Sequence, residues 1–258
     1  MAVPIRAGAQ NIKKMEIVVL EESGSSNDAA AQMLRDGKET PFAVLVKRQT
    51  CGRGRLSRRW FSEEGKTLCV SVAADFSDLP SPLMESATVR AGVAVCGTLS
   101  ALCTEKLFVK WPNDLYSADG KKICGMLAEL VQIGGAYKIV FGVGINYDLS
   151  GCENKMPRDV FEKSADVLSR LSKKITFEEF ARLAVDTVGE ELARRDFSAV
   201  ERFGDFDFLR GKEISVSAGG DTFDGVARGV NERGNLLLEL PDGGVKTINS
   251  GEATLRCR

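Results

Sequence analysis

A chain of 258 residues has room for one large domain, or for a domain of roughly 200 residues with a small second one. Hydrophobic residues at 43% and charged residues at 28% suffice for a core and exclude an intrinsically disordered chain. The net charge of -1 removes the broad attraction on which non-specific nucleic-acid binding rests, so any phosphate site must be local.

The first 14 residues lack periodicity and read as an extended or disordered arm. Residues 15–20 (MEIVVL) form a buried strand, after which Ser25, Ser26 and Asn27 can cap a helix through AAAQMLRD that Gly37 stops. Residues 42–47 are a second strand, 49–61 a Gly/Arg-rich loop and 67–74 a third strand. Residues 83–103 carry apolar side chains at the spacing of one long buried helix, and 108–111 make a short strand ended by Pro112. Residues 122–132 and 137–147 pair as a hairpin through Gly134 and Gly135. From 160 to 203 the pattern is helical, with Thr176 as a cap. After Gly211 short alternating strands predict a small β-barrel. No helix-turn-helix pair fits before Met15, which argues against a DNA-reading arm.

Histidine is absent, which excludes His general bases, Ser-His and Cys-His nucleophile pairs and His-ligated zinc. The seven cysteines are odd in number and scattered without a CxxC pair, and no signal peptide precedes them; they read as thiols of a cytoplasmic protein. No apolar run approaches the about 20 residues of a membrane span. Gly65-Lys66-Thr67 looks like the end of a Walker A loop, but Trp60 stands where its first glycine belongs and a strand follows. Gly142-Val143-Gly144 fails as a dinucleotide fingerprint because Tyr147 occupies the third position.

The chemistry concentrates in four segments. Gly52-Arg53-Gly54-Arg55-Leu56-Ser57-Arg58-Arg59-Trp60 combines glycines that let backbone approach a ligand with forked guanidinium donors suited to phosphate. The others are Lys110-Trp111-Pro112-Asn113-Asp114, Lys122-Ile123-Cys124-Gly125-Met126-Leu127-Ala128-Glu129 and Gly142-Val143-Gly144-Ile145-Asn146. In order and spacing they resemble the biotin protein ligase motifs GRGRxxRxW, KWPND, KxxGxLxE and GxGxN. The resemblance is strong over residues 16–148 and looser over the tail.

It implies an α+β fold, with a class II synthetase-like mixed sheet and flanking helices over residues 16–207 and an SH3-like β-barrel over 208–258, after an arm at 1–15. The implied activity is adenylation of biotin by ATP with Mg²⁺, then transfer of biotin to a lysine of a biotin carboxyl carrier protein. Lys110 takes the catalytic place between the biotin carboxylate and the α-phosphate, with Arg53 beside it. Ser25, Ser26, Asn27, Gln49, Arg53, Gly54 and Arg55 surround biotin, Ser26 standing where the family has Thr. Arg55, Arg58, Trp60, Asn113, Lys122 and Asn146 face the nucleotide, and Gly52, Gly125, Gly142 and Gly144 let backbone approach the ligand. Trp60 serves as an adenine contact or as loop-base core, and Asn113 as a triphosphate ligand or an Asx turn. No His or Cys metal site is implied; Mg²⁺ arrives with ATP. The loop at 52–60 is expected to order over the adenylate and exclude water.

A departure from the motif, Tyr147 and Asp148 in place of a small residue and a second Asn, leaves the pocket edge open. The resemblance raises a homodimer without fixing it and brings neither DNA nor membrane. Two other readings stand beside it: a ligase for lipoate or a related short acyl acid, and a non-catalytic nucleic-acid binder using GRGRLSRR.

Overall fold

The computed structural model describes residues 15–256, so the expected arm at 1–14 lies outside the described residues. Seven strands, β1 (Glu16–Ser23), β2 (Phe42–Gln49), β3 (Thr67–Asp75), β4 (Phe108–Lys110), β5 (Asp114–Tyr116), β6 (Lys122–Ile133) and β7 (Ala136–Asn146), form one sheet in the order β1-β2-β3-β7-β6-β5-β4. The β1–β2 pair is parallel and the other pairs are antiparallel, so the sheet is mixed as expected. Gly134 and Gly135 both adopt positive φ, which lets the long strands β6 and β7 turn back on each other.

Period-two alternation sorts the sheet into two faces. Leu68, Val70, Val72, Phe141, Val143 and Ile145 join the main core with helices α3 (Ala87–Leu102) and α5 (Phe177–Ala193). Val44, Val46, Ala73 and Val140 point the other way and bury Ala30 and Leu34 of α1 (Ser26–Arg35). Thr176 caps α5 in a full capping box with Glu179, as the sequence pattern predicts.

Three expectations need correction. The helix expected over 83–103 is two, α2 (Ser81–Glu85) and α3, separated at Ser86, whose hydroxyl donates back to the Pro82 carbonyl at 2.8 Å. The helical stretch from 160 to 203 is broken into α4 (Arg158–Glu162), a 3-10 turn at Leu168–Arg170, α5, α6 (Ser198–Glu201) and α7 (Phe203–Phe206). Between α4 and α5 the backbone bonds to the sheet instead of to itself: Ala165 N donates to Lys122 O and Val167 N to Asn146 O. Ser25 occupies the N-cap of α1 in extended conformation but makes no side-chain capping bond.

The C-terminal unit is a five-stranded antiparallel sheet, β8 (Glu213–Ala218), β9 (Asp221–Val230), β10 (Leu236–Glu239), β11 (Val245–Ile248) and β12 (Glu252–Leu255), ordered β11-β10-β9-β8-β12. Its apolar residues Leu236, Leu238 and Ile248 share one continuous core with the first unit. The buried Trp111 indole locks the two together by donating to the Gly234 carbonyl at 2.9 Å. Among the described residues no helix is long and apolar enough to cross a membrane.

Candidate active site

The α1 face of β7 reads Val140, Gly142, Gly144, Asn146. Val140 is covered by α1; beyond it the glycines carry no side chain, and a cavity of about 680 Å³ opens over them. Strand register builds its floor from two rows, Ser71–Gly142–Leu127 and Cys69–Gly144–Gly125–Asp114–Lys110. The motif residues, spread from Ser25 to Asn146 in the first unit, converge here because these rows cross the sheet.

The glycines make room for this chain's own side chains, and Gly125, Gly142 and Gly144 also line the cavity. A Cβ at Gly142 would lie 2.2 Å from Asn27 Oδ1, and one at Gly144 would lie 2.4 Å from Trp60 Cε2. At Gly125 the nearest atom is Trp60 Cζ3 at 3.0 Å, and at Gly52 it is the Trp60 carbonyl at 2.5 Å. Trp60 therefore rests on the floor, with its buried indole Nε1 lacking a partner.

At the α1 end the cavity is a polar cup. Ser25, Ser26 and Asn27 are buried, Ser26 N donates to Gln49 Oε1 at 2.7 Å, and the Ser71 hydroxyl lies 2.8 Å from Ser26 Oγ and 2.6 Å from Asn27 Oδ1. Ser71 escaped the sequence reading because it sits mid-strand with no motif around it. The cup offers hydroxyls and amides of both polarities.

The 52–60 loop closes on itself, Gly54 N donating to Arg58 O at 2.7 Å and Trp60 N to Gly52 O at 2.9 Å. Leu56 and Ser57 at its tip hold φ of 54° and 60°, a left-handed conformation that non-glycine residues adopt at a cost. Its arginines are engaged. Arg53 pairs with Glu129 at 2.8 Å and Asp28 at 2.7 Å. Arg55 donates to Asn113 Oδ1 at 3.3 Å and to the Gly251 carbonyl at 3.1 Å, and Arg58 pairs with Glu252 at 2.6 Å. Burial draws the Arg55 guanidinium below its ordinary range, against the pull of Asp114 and Glu252. Gly251 and Glu252, from the start of β12, thus bring the C-terminal unit into the site; the sequence reading had no signal for them.

Opposite the cup stand two lysines. Lys122 Nζ pairs with Asp114 at 2.8 Å, lies 5.7 Å from the centre of a Trp60 ring and would be 3.2 Å from a Cβ on Gly125. Lys110 Nζ, on β4, lies two strands farther out, 3.3 Å from the Tyr116 hydroxyl. Burial lowers the Lys110 ammonium from its ordinary value, although Asp114 and Glu252 oppose this. Burial, with Asp114 and Glu252, pushes the Tyr116 phenol up to about 12, so it stays protonated.

Two of the expected ligand contacts, Asn113 and Asn146, also make structural ties. Asn146 lines the cavity but spends its amide nitrogen on Lys122 O at 3.2 Å and Ala165 O at 3.1 Å, so it fixes backbone. Asn113 donates to Met126 O at 2.8 Å, which pins the turn between β4 and β5 to β6 and makes it a bridge instead of an Asx turn. Tyr147 and Asp148 leave the site unchanged: the Tyr147 ring packs on Phe177 and Phe180, and Asp148 pairs with Lys66 at 2.7 Å. Strand β3, starting at Thr67, follows Lys66, in keeping with the rejection of a P-loop.

Residues 22–146 match the model of the biotin/lipoate A/B protein ligase family, and residues 210–256 match that of the biotin protein ligase C terminal domain. The bifunctional ligase/repressor BirA of Escherichia coli K12 is 30% identical over 218 residues, 83% of this chain and 66% of that protein. The biotin--[acetyl-CoA-carboxylase] ligase of Mycobacterium tuberculosis is 25% identical over 251 residues, 92% of this chain and 88% of that protein. The biotin protein ligase from Aquifex aeolicus, solved with biotin and ATP, superposes with a TM-score of 0.72 at 26% identity, over 93% of this chain and 98% of that one.

Proposed function

The chain belongs to the biotin/lipoate A/B protein ligase family, and from that premise we propose that it is an ATP-dependent biotin ligase acting on a biotin carboxyl carrier protein. The observation that carries this reading is the polar cup of Ser25, Ser26, Asn27 and Gln49, backed by the buried Ser71 and joined by a glycine floor to a row of cations. A cyclic urea presents two N–H donors and a carbonyl, which such a cup can satisfy; each group left unpaired on burial would cost about 1 to 3 kcal/mol. The valeryl chain then runs past Trp60 toward the lysines.

In the first half-reaction a carboxylate oxygen of biotin attacks the α-phosphorus of ATP and the bond to pyrophosphate breaks. The carboxylate is ionised near pH 7, so a chain without histidine suffices. What the step needs is alignment of two anions and neutralisation of charge. Lys122 takes the central place in this reading, because it stands between the cup and the Asp114 side of the cavity; Lys110, two strands outward beside Tyr116, suits the phosphates. Arg55 and Arg58 face the same side. Mg²⁺ would be held mainly by the nucleotide's phosphates, with Asp114 and Glu252 on that side of the cavity. Bound there, it would offset triphosphate charge. In the second half-reaction the carrier lysine amine attacks the acyl carbon, an amide forms, and AMP and a proton depart.

The domain division at residue 208, the cytoplasmic setting and a homodimer belong to the same reading. A nucleic-acid role is disfavoured, because Arg53, Arg55 and Arg58 are bound by Glu129, Asp28, Asn113, Gly251 and Glu252 instead of forming a free basic face.

Mass spectrometry of the chain mixed with MgATP and biotin, with lipoate in a parallel tube, is expected to detect biotinyl-AMP in the first tube only. Adenylate from lipoate alone would transfer the assignment to an acyl ligase of the other kind. A second expected result concerns the cup: Gly142→Ala drives a methyl into Asn27 Oδ1 and weakens biotin binding by about 10- to 100-fold in calorimetry. An unchanged affinity would show that Asn27 does not face the ligand.

A further inference from the structure

Glu129 closes the third motif, and no part of the chemistry above uses it. Its carboxylate lies on the site face of β6 and is shared between two elements. Oε2 accepts from Asn27 Nδ2 at 2.6 Å and from Arg53 Nη2 at 2.8 Å, and Oε1 accepts from Arg53 Nη1 at 3.0 Å. The other amide proton of Asn27 goes to the Leu127 carbonyl at 3.2 Å. An ionised carboxylate and a carbonyl can only accept, so both neighbours require the amide nitrogen of Asn27 on their side. Its oxygen is thereby turned the opposite way, against Gly142 and the Ser71 hydroxyl, where the cavity wall lies.

We propose that Glu129 is a positioning residue that sets ligand specificity: it holds Asn27 with the carbonyl oxygen toward the ligand, and it ties that orientation to the 52–60 loop through Arg53. The inference rests on the ligase reading above. With Asn27 so held, the cup presents a fixed acceptor. One lone pair of that oxygen takes the Ser71 hydroxyl at 2.6 Å and the other is open to the ligand; a ring bearing an N–H gains a bond there that a ring without one does not. Arg53 is then a tether for the loop and leaves the contacts to the biotin carboxylate and the phosphates to Lys122, Lys110, Arg55 and Arg58. Neutralising Glu129 frees both ends, because a side-chain amide can offer Asn27 either an acceptor or a donor and holds a guanidinium weakly.

The test is Glu129→Gln in steady-state adenylate formation, with biotin and ATP varied separately and lipoate as competing acid. The expected result is a biotin KM raised about tenfold or more, an ATP KM within about twofold of the unaltered chain, and a biotin-to-lipoate preference lowered about tenfold. Asp28→Asn, which removes Arg53's other partner and leaves Asn27 untouched, keeps the biotin KM. Should Glu129→Gln fail to fold, Glu129→Asp retains the charge but withdraws it from Asn27, and the same rise in biotin KM is expected. Equal changes in both KM values, or a lowered melting temperature with the biotin KM unmoved, would overturn the positioning role while leaving the ligase reading in place. An unaltered chain that makes no biotinyl-AMP would overturn both.

Discussion

Lys122→Ala is expected to slow biotinyl-AMP formation by about 10²- to 10³-fold, the loss typical when one preorganised charge is removed from a transition state. The reason is position. Lys122 Nζ lies over the Gly125 floor, near the Trp60 ring and against Asp114, where a carboxylate leaving the cup meets a phosphate on the outer strands. Lys110→Ala is expected to act mainly through ATP, raising its KM more than that of biotin, since the ammonium stands at the far end of the row beside Tyr116. The pH profile separates the pair further. Burial lowers the Lys110 pKa from 10.5, and the cation is the useful form, so activity falls as pH rises through that lowered value. Lys110→Arg, charged throughout, moves the alkaline limb to higher pH. If single-turnover rates are abolished by Lys110→Ala and spared by Lys122→Ala, the central place belongs to Lys110, as the motif resemblance alone implies.

That revision shows what the sequence could convey about this site. The four motifs name the right neighbourhood, because glycines at 142, 144 and 125 and the polar run at 25–27 all fall on one sheet face. The β6–β7 hairpin was legible from Gly134 and Gly135 and the start of α5 from Thr176, whereas the mixed sheet came with the motif resemblance. Which lysine lies nearer the cup was not, since it depends on strand order across β6, β5 and β4, and β5 is only three residues long. The arginines were equally opaque. Arg53 and Arg58 find partners 76 and 194 positions away, and a distant carboxylate leaves no local periodic trace. The stretch between α4 and α5 departs from a helix for a related reason: Ala165 and Val167 are buried two positions apart, and their backbone bonds go to Lys122 and Asn146.

The scaffold behind the site carries one ion pair whose loss is expected to be severe. Arg90 of α3 is 1% exposed and donates through Nε to Glu191 Oε1 of α5 at 2.9 Å. The same guanidinium also serves the carbonyls of Leu83, Glu191 and Arg194 at 3.3, 2.6 and 3.1 Å. Arg90→Ala therefore leaves a buried carboxylate with only the longer contact to Arg194 at 3.4 Å and three carbonyls unmet, and is expected to cost about 3 to 5 kcal/mol, or roughly 6 to 20 °C of melting temperature for a chain of this size. Pairing it with Glu191→Leu removes the stranded charge but not the unmet carbonyls, so recovery is partial. The sign of the pH dependence follows from Glu191. Burial, outweighing the attraction of Arg90, raises its folded pKa above 4.5, and without Arg90 the pKa rises further. The folded variant then holds a proton that the unfolded chain releases, so its stability falls as pH rises through that widened window. Differential scanning calorimetry across the acidic range up to neutrality should show the gap to the unaltered chain widening with pH; a gap independent of pH would mean that lost packing, and not the stranded charge, accounts for the effect.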